Sequence, residues 1–185
     1  MLVAKKQDDR IVVGVSICDH FCECAEDDLY LDENVPIWKV KGEKDCYVFA
    51  DKSSLSVNLL RYNDNIFKGI TDGRSVIEKV VPKIKSILDA HSRLIGANEW
   101  GDYLLIVKGN KMFTINEHFN VCECDDVATL GYLPFLIAGL EECKEASPEQ
   151  SILSTVKGLE RLRNKKLFPL VTFDTKTKRR KIHYN

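Results

Sequence analysis

MLVAKKQDDRIVVGVS, residues 1–16, is the stretch that decides the fold. Two apolar runs, Leu2–Ala4 and Ile11–Ser16, flank the polar stretch Lys5–Arg10. Short apolar runs joined by a polar connection form β-hairpins. The spacing therefore predicts adjacent antiparallel strands in a sheet buried on one side. Terminal residues are usually polar and frayed unless something ties them down, so a strand at residue 2 needs a sheet to receive it.

The next segments continue the alternation of strand and helix. Asp45–Asp51 (DCYVFAD) reads as a strand, and SSLSVNLLRY as a helix with Ser53 or Ser54 as N-cap and Leu55, Leu59 and Leu60 on one face. Val76, Val80, Ile84 and Ile87, joined by Ile77, Val81 and Leu88, predict an amphipathic helix from about Ser75 to His91, kinked or delayed by Pro82. Leu104–Val107 and Met112–Ile115 form a second hairpin across Gly109-Asn110. DVATLGYLPF runs from a strand through a glycine turn into a helix. Another helix opens with Ser147 as N-cap, Pro148 in the first turn and Glu149 beside the helix dipole. LFPLVTF closes as a strand. Hairpins imply antiparallel pairing, which excludes a simple doubly wound sheet.

A chain of 185 residues suffices for one domain with a sizeable core. We expect that domain over residues 1–173, followed by a basic C-terminal tail over 174–185. Hydrophobic residues make up 44% and charged residues 30%, as in ordinary globular proteins, and the net charge of −1 points to neither a nucleic acid nor a membrane surface. No run approaches the roughly 18 apolar residues of a membrane span, and Leu2–Ala4 is too short for a signal stretch. Seven cysteines, an odd number, with no sign of export suit a reducing cytoplasm and free thiols without a structural disulfide.

The element order resembles the proteasome β-type fold, and most closely the bacterial HslV peptidase. Three stretches carry the resemblance: the opening hairpin; LDENVPIWKVKGEKDCYVFADKSSLSVNLLRY with its Lys39-Val40 pair; and residues 103–162, with a Leu-Ile-Val strand, a Gly-Asn turn, an acidic strand leading to Gly131, and two helices separated by a Ser-Pro start. The resemblance implies an α+β fold, a four-layer αββα sandwich of antiparallel sheets typical of N-terminal nucleophile hydrolases. It also implies a mature first residue whose side chain attacks a peptide carbonyl while its α-amine takes the proton, an amine suited by a pKa near 8. A lysine on a nearby strand would activate that nucleophile.

Carried over residue by residue, the chemistry fails at several points. Met1 or Leu2 falls at the nucleophile position, no Thr, Ser or Cys precedes Ser16, and no pro-segment is evident whose removal would expose one. The family carboxylate falls at about Ser16; Asp19 reaches that place only with a change of register. Of the Gly-Ser-Gly turn only Gly131 remains. Lys39 matches the family lysine, either as a catalytic remnant or as a surface or structural residue. No cofactor is implied.

Two further features stand outside this frame. Cys22-Glu23-Cys24 and Cys122-Glu123-Cys124 each follow a His-Phe pair, and the four thiols would make a zinc site if the segments met. Structural zinc sites, however, usually use two-residue spacers around a tight turn. Small, buried hydrophobic cysteines on edge strands or turns are the simpler expectation. Cys18 or Cys22 as nucleophile with His20 as base has no orienting group in view. In the tail, Lys176 and the run Lys178, Arg179, Arg180 and Lys181 form a basic cluster, either a solvated end or a surface for an acidic partner, which the stretch ECAEDDLYLDEN could supply within one chain or from a neighbour.

The expected protein is a cytoplasmic, proteasome-like homo-oligomer that has lost its peptidase chemistry and acts through contacts with its own copies or a target protein. A phage or bacterial genome is a natural home for such a derivative. An active peptidase or amidohydrolase using another nucleophile is the alternative, and a cysteine-based metal-binding regulator the second.

Overall fold

A computed structural model describes residues 1–16, 35–95, 101–130, 133–143, 146–164 and 166–184. The chain divides into two compact units, one built from residues 1–35 and 125–185 and the other from residues 36–124. Each holds a five-stranded antiparallel sheet with helices packed on it.

The first unit starts with the expected hairpin. β1 (Leu2–Gln7) and β2 (Arg10–Ser16) pair with Leu2 opposite Val15 and Gln7 opposite Arg10. The strands are longer than the apolar runs, because only Asp8 and Asp9 are needed for the turn and Asp8 takes a positive φ of 55°. The one-sided burial expected of this hairpin is corrected: Leu2, Val3 and Ala4 are all fully buried, so both faces of β1 are covered. β8 (Val127–Leu130) pairs with the other side of β1, and β9 (Leu170–Asp174) with the other side of β2. β10 (Arg179–His183) pairs with β9, which gives the strand order β10-β9-β2-β1-β8. Of the basic run expected as a tail, Arg179, Arg180 and Lys181 thus lie on a sheet strand and Lys178 in the turn before it.

Helices α3 (Leu133–Glu142) and α4 (Pro148–Arg163) pack together and on this sheet. Ser147 caps α4 as anticipated, but its reciprocal partner is Gln150. Between helices and sheet lies a cluster that includes Met1, Val3, Val12, Leu136, Ile152 and Val156.

The second unit orders its strands β3-β4-β5-β6-β7. They are β3 (Ile37–Lys39), β4 (Cys46–Ala50), β5 (Leu104–Lys108), β6 (Lys111–Ile115) and β7 (Val121–Cys124). Lys108 pairs with Lys111 across Gly109-Asn110, as the sequence indicated, and Gly109 supplies the left-handed φ of 61°. α1 (Leu55–Tyr62) is capped by Ser54, whose Oγ accepts from Val57 N at 3.1 Å. Its buried face is Ser56, Val57 and Leu60, whereas Leu55 is 49% exposed, which corrects the leucine face read from the sequence.

The long helix begins at Gly73–Ser75, widens into a π-helical turn at Val76–Val80 and continues as α2 (Val81–Ala90). Pro82 explains the widening. It lacks the N–H that would close the preceding α-turn, and its ring crowds the carbonyl four residues back. A π turn just before it, with Val81 N–H bonded to Val76 O, absorbs both faults. Val76, Val80, Val81, Ile84 and Leu88 pack on the sheet, while Ile77 turns outward.

Candidate functional site

The head of β1 is where a family nucleophile would stand. Met1 is 8% exposed and its side chain belongs to the apolar cluster with Val3 and Val12. Its carbonyl accepts from Ser16 N at 3.0 Å. Ser16, near which the sequence resemblance puts the family carboxylate, is buried, and its Oγ donates to Leu167 O at 2.7 Å. That hydroxyl proton is committed to a carbonyl, so Ser16 is a structural clamp between β2 and the segment leading into β9.

Lys39 lies in the other unit, on edge strand β3 opposite Tyr47, and is exposed. Gly131, Asp19, Cys18, His20, Cys22 and Cys24 lie outside the described residues. Cys122 and Cys124 stand on edge strand β7, the first exposed and the second half-buried, so the edge placement expected for them holds and the burial does not. Among the described residues no group of His, Cys, Asp and Glu could hold a metal ion. In the basic run, Lys178 occupies the turn before β10 with φ 59°, Arg179 is exposed, Arg180 is half-buried, and Lys181 pairs with Glu149 at 2.9 Å.

Three polar centres escaped the sequence reading. The first is Lys5, 7% exposed, whose ammonium donates to Leu140 O at 2.8 Å, Cys143 O at 2.9 Å and Ser151 Oγ at 3.0 Å. All three ammonium protons are used, so Lys5 is a donor that holds the end of α3, with no lone pair to act as a base for Ser151. Strand alternation carries the signal, since Met1, Val3 and Lys5 share one face and the first two are core.

The second centre follows β4. Asp102, 1% exposed, accepts from Ser54 Oγ at 2.9 Å and from Ser56 Oγ, and meets Lys52 Nζ at 3.4 Å. Asp51 accepts from Tyr103 N at 3.0 Å. Burial pushes the Asp51 carboxyl above the usual range; the Tyr103 N–H pulls against that, and the charge of Asp102 adds to it. The two serines read as cap and helix positions also anchor this carboxylate.

The third centre joins α4 to β9 and β10. Glu149 accepts from Thr172 Oγ1 at 3.3 Å and lies 3.4 Å from His183 Nε2, which is itself 2.8 Å from Thr172 Oγ1. Hydroxyl, imidazole and carboxylate together suggest a triad, but Glu149 and Thr172 meet the same ring nitrogen. A relay needs the carboxylate on Nδ1 and the nucleophile on Nε2. The cluster is therefore a fastening for the last strand. Burial would raise the Glu149 carboxyl, but the hydrogen bond and charge of Lys181 outweigh it and hold it low. Burial lowers the His183 imidazole against the pull of Glu149.

The sequence matches no protein-family model and no curated protein. Solved structures do match. BPH of Thiobacillus denitrificans, solved in complex with epoxomicin, superposes with a TM-score of 0.65 at 15% identity, over 94% of this chain and 96% of that one. Anbu, the ancestral β-subunit from Yersinia bercovieri, gives 0.63 at 12% identity over 100% and 87%. Eukaryotic HslV from Trypanosoma brucei gives 0.61 at 9% identity over 94% and 97%. At such identities the likeness establishes the fold, and with its two antiparallel sheets and packed helices this chain is a divergent α+β protein of the proteasome-like, N-terminal nucleophile hydrolase fold.

Proposed function

We propose that this chain is a proteasome-like subunit without N-terminal peptidase activity, which acts through assembly of its own copies and contact with other proteins in the cytoplasm. The observation that carries the reading is the head of β1. Met1, Leu2, Val3 and Ala4 are buried and none has a hydroxyl or thiol. If the mature polypeptide begins with one of them, its side chain has no lone pair suited to attack a carbonyl in the way a Thr Oγ does. Lys39 then has nothing to activate and serves as a surface lysine on β3. Removing one member of a catalytic unit already costs most of its rate, so loss of nucleophile and carboxylate together leaves background only.

The test pairs peptide turnover with an N-terminus-directed epoxyketone or lactone probe, read by intact mass. We expect neither turnover nor adduct, a native mass above that of one chain, and the same mass for Lys39→Ala. An adduct on residue 1 or 2 with turnover would show that the site works. Turnover with the adduct on Cys18, Cys22 or Cys24 would transfer the activity to a thiol.

A further inference from the structure

The first unit carries a cleft of about 720 Å³ where the ends of β1 and β8 meet α3. Val127, Ile137 and Leu140 give it apolar walls, and Asp125, Asp126 and Glu141 an acidic rim. Lys6 also borders it, while the ammonium of Lys5 is turned to the α3 carbonyls. Apolar walls under an acidic rim suit a lysine or arginine side chain, whose aliphatic stem and cationic head want different surroundings. The volume lies inside the roughly 300–1,000 Å³ of ligand clefts.

The same unit carries a matching projection. The turn between β9 and β10, residues 175–178, presents Lys176 and Lys178 beside exposed Arg179. Lys176 reaches Asp9 at 2.8 Å. Asp174 stiffens the turn by accepting from Lys176 N at 2.9 Å and Thr177 N at 3.1 Å, and it pairs with Arg10 at 2.9 Å. A projection held in place beforehand loses little entropy when it docks.

Their placement in the sheet is the decisive point. Lys5 pairs with Val127 and Gln7 with Arg10, so the cleft lies at the end of the sheet where β1 finishes and β8 starts. Val12 pairs with Asp174, which puts the β9–β10 turn at that same end. In the strand order β10-β9-β2-β1-β8 the turn lies between the first two strands and the cleft at the last two, about 14 Å apart at the usual strand spacing. A sideways shift of that length alone would lay one sheet over the other, so bringing the turn of one copy to its neighbour's cleft takes a rotation as well. We propose that the β9–β10 turn of one copy seats in the β1/β8/α3 cleft of the next, joining copies of this chain head to tail. Such a contact uses two different patches and builds a ring if the rotation closes or a filament if it does not. The proposal rests on the assembly reading above and names its contact.

The experiment uses two charge-reversed full-length chains, Lys176→Glu with Lys178→Asp, and Asp125→Lys with Asp126→Lys. All four positions are exposed, and circular dichroism checks that both variants are folded. By sedimentation velocity the parent should assemble at low salt and weaken about tenfold or more at about 1 M salt, where the screening length is about 3 Å. Each variant alone should sediment as a monomer, and an equimolar mixture should regain the parent's mass, because each turn then meets a cleft of opposite charge. Carbodiimide cross-linking of isotopically mixed parent should join Lys176 or Lys178 of one copy to Asp125, Asp126 or Glu141 of another, and this readout does not depend on any variant folding. If the parent assembles but the variants do so unchanged, or the cross-links form only within one copy, this contact is wrong and the assembly reading stands. A parent that stays monomeric at low salt overturns both.

Discussion

Lys5 spends each of its ammonium protons on a fixed acceptor, two of them carbonyls at the end of α3. Carbonyls of a last helical turn have no partner inside the helix, and a cation there also meets the negative end of the helix dipole. Lys5→Met keeps most of the stem and removes the charge, yet the carbonyls and Ser151 stay behind in a buried place. Leaving a buried acceptor unsatisfied costs about 1–3 kcal/mol, so we expect a loss of about 3 kcal/mol in urea unfolding at an unchanged m-value. A loss below about 0.5 kcal/mol would show that water replaces the ammonium. The thiols differ in the same local way. Cys46 is fully buried and burial pushes its pKa up to about 11, whereas Cys122 is exposed. With a maleimide near neutral pH, Cys122 should label in the native protein and Cys46 only after denaturant is added; equal rates would contradict the burial. The sequence located the Cys122–Cys124 pair but could not grade its exposure, because thiol reactivity follows surroundings that only the fold assembles.

Helices and hairpins with strong apolar periodicity are legible in the sequence; elements held by charge are not. The Ile11–Ser16 strand, the Gly109-Asn110 turn and the Ser147 cap are local chemistry. β10 reads RRKIH, with Ile182 as its one apolar residue, so no alternation marks it as a strand. What holds it is β9 on one side and Glu149 reaching Lys181 and His183 from the start of α4. Both titrating partners give the same sign. The Glu149 carboxyl is held low, so its contribution is present above its unfolded value of about 4.3 and is lost as pH falls through the folded value. The His183 imidazole is also held low, so folding favours the neutral ring, and that contribution fades as pH falls below about 6.5. Amide protection of residues 179–183 should therefore drop between pH 7.5 and about 5 and drop again below about 4.3, with Glu149→Gln lowering it already at neutral pH. Protection that is flat across that range would mean that the backbone ladder alone holds β10. At the helix pair, a Cβ on Gly139 would lie 2.8 Å from Thr155 Cγ2 and 3.0 Å from its Oγ1. Gly139→Ala should cost about 1–3 kcal/mol by overpacking, outweighing the roughly 1 kcal/mol gained in helix propensity; a raised melting temperature would show that α3 and α4 can separate without loss.

The first unit is assembled from the two ends of the chain, and that decides how the molecule depends on its last segment. β2 has β1 on one side and β9 on the other, with Ser16 opposite Leu170. The order of elements reveals such a sheet only when a known fold supplies the pairing, which is why the family resemblance could be read and the place of β10 could not. β9 buries Leu170 and Val171 completely. At about 1.5–3 kcal/mol for each buried aliphatic side chain, these two account for about 3–6 kcal/mol, before the ladder to β2 and the cover of the apolar cluster are counted. Domains of this kind have only about 5–15 kcal/mol in total. A chain ended after Pro169 should therefore lose the first unit's cooperative unfolding and expose a long apolar edge on β2. β10 is a different case, because its side chains are exposed or half-buried and the ion pair that ties it to Glu149 comes from the exposed Lys181. Exposed pairs contribute about 0–1 kcal/mol each and backbone hydrogen bonds about 0.5–1.5 kcal/mol net. A chain ended after Lys178 should fold, unfold in one transition, and show a melting temperature lowered by only a few degrees. It keeps Lys176 and Lys178 but removes the strand that braces their turn, so at low salt it should assemble more weakly than the parent while its fold persists. Scanning calorimetry of the two shortened chains decides the matter: a folded chain ending at Pro169, or an unfolded one ending at Lys178, would reverse the ranking of β9 over β10.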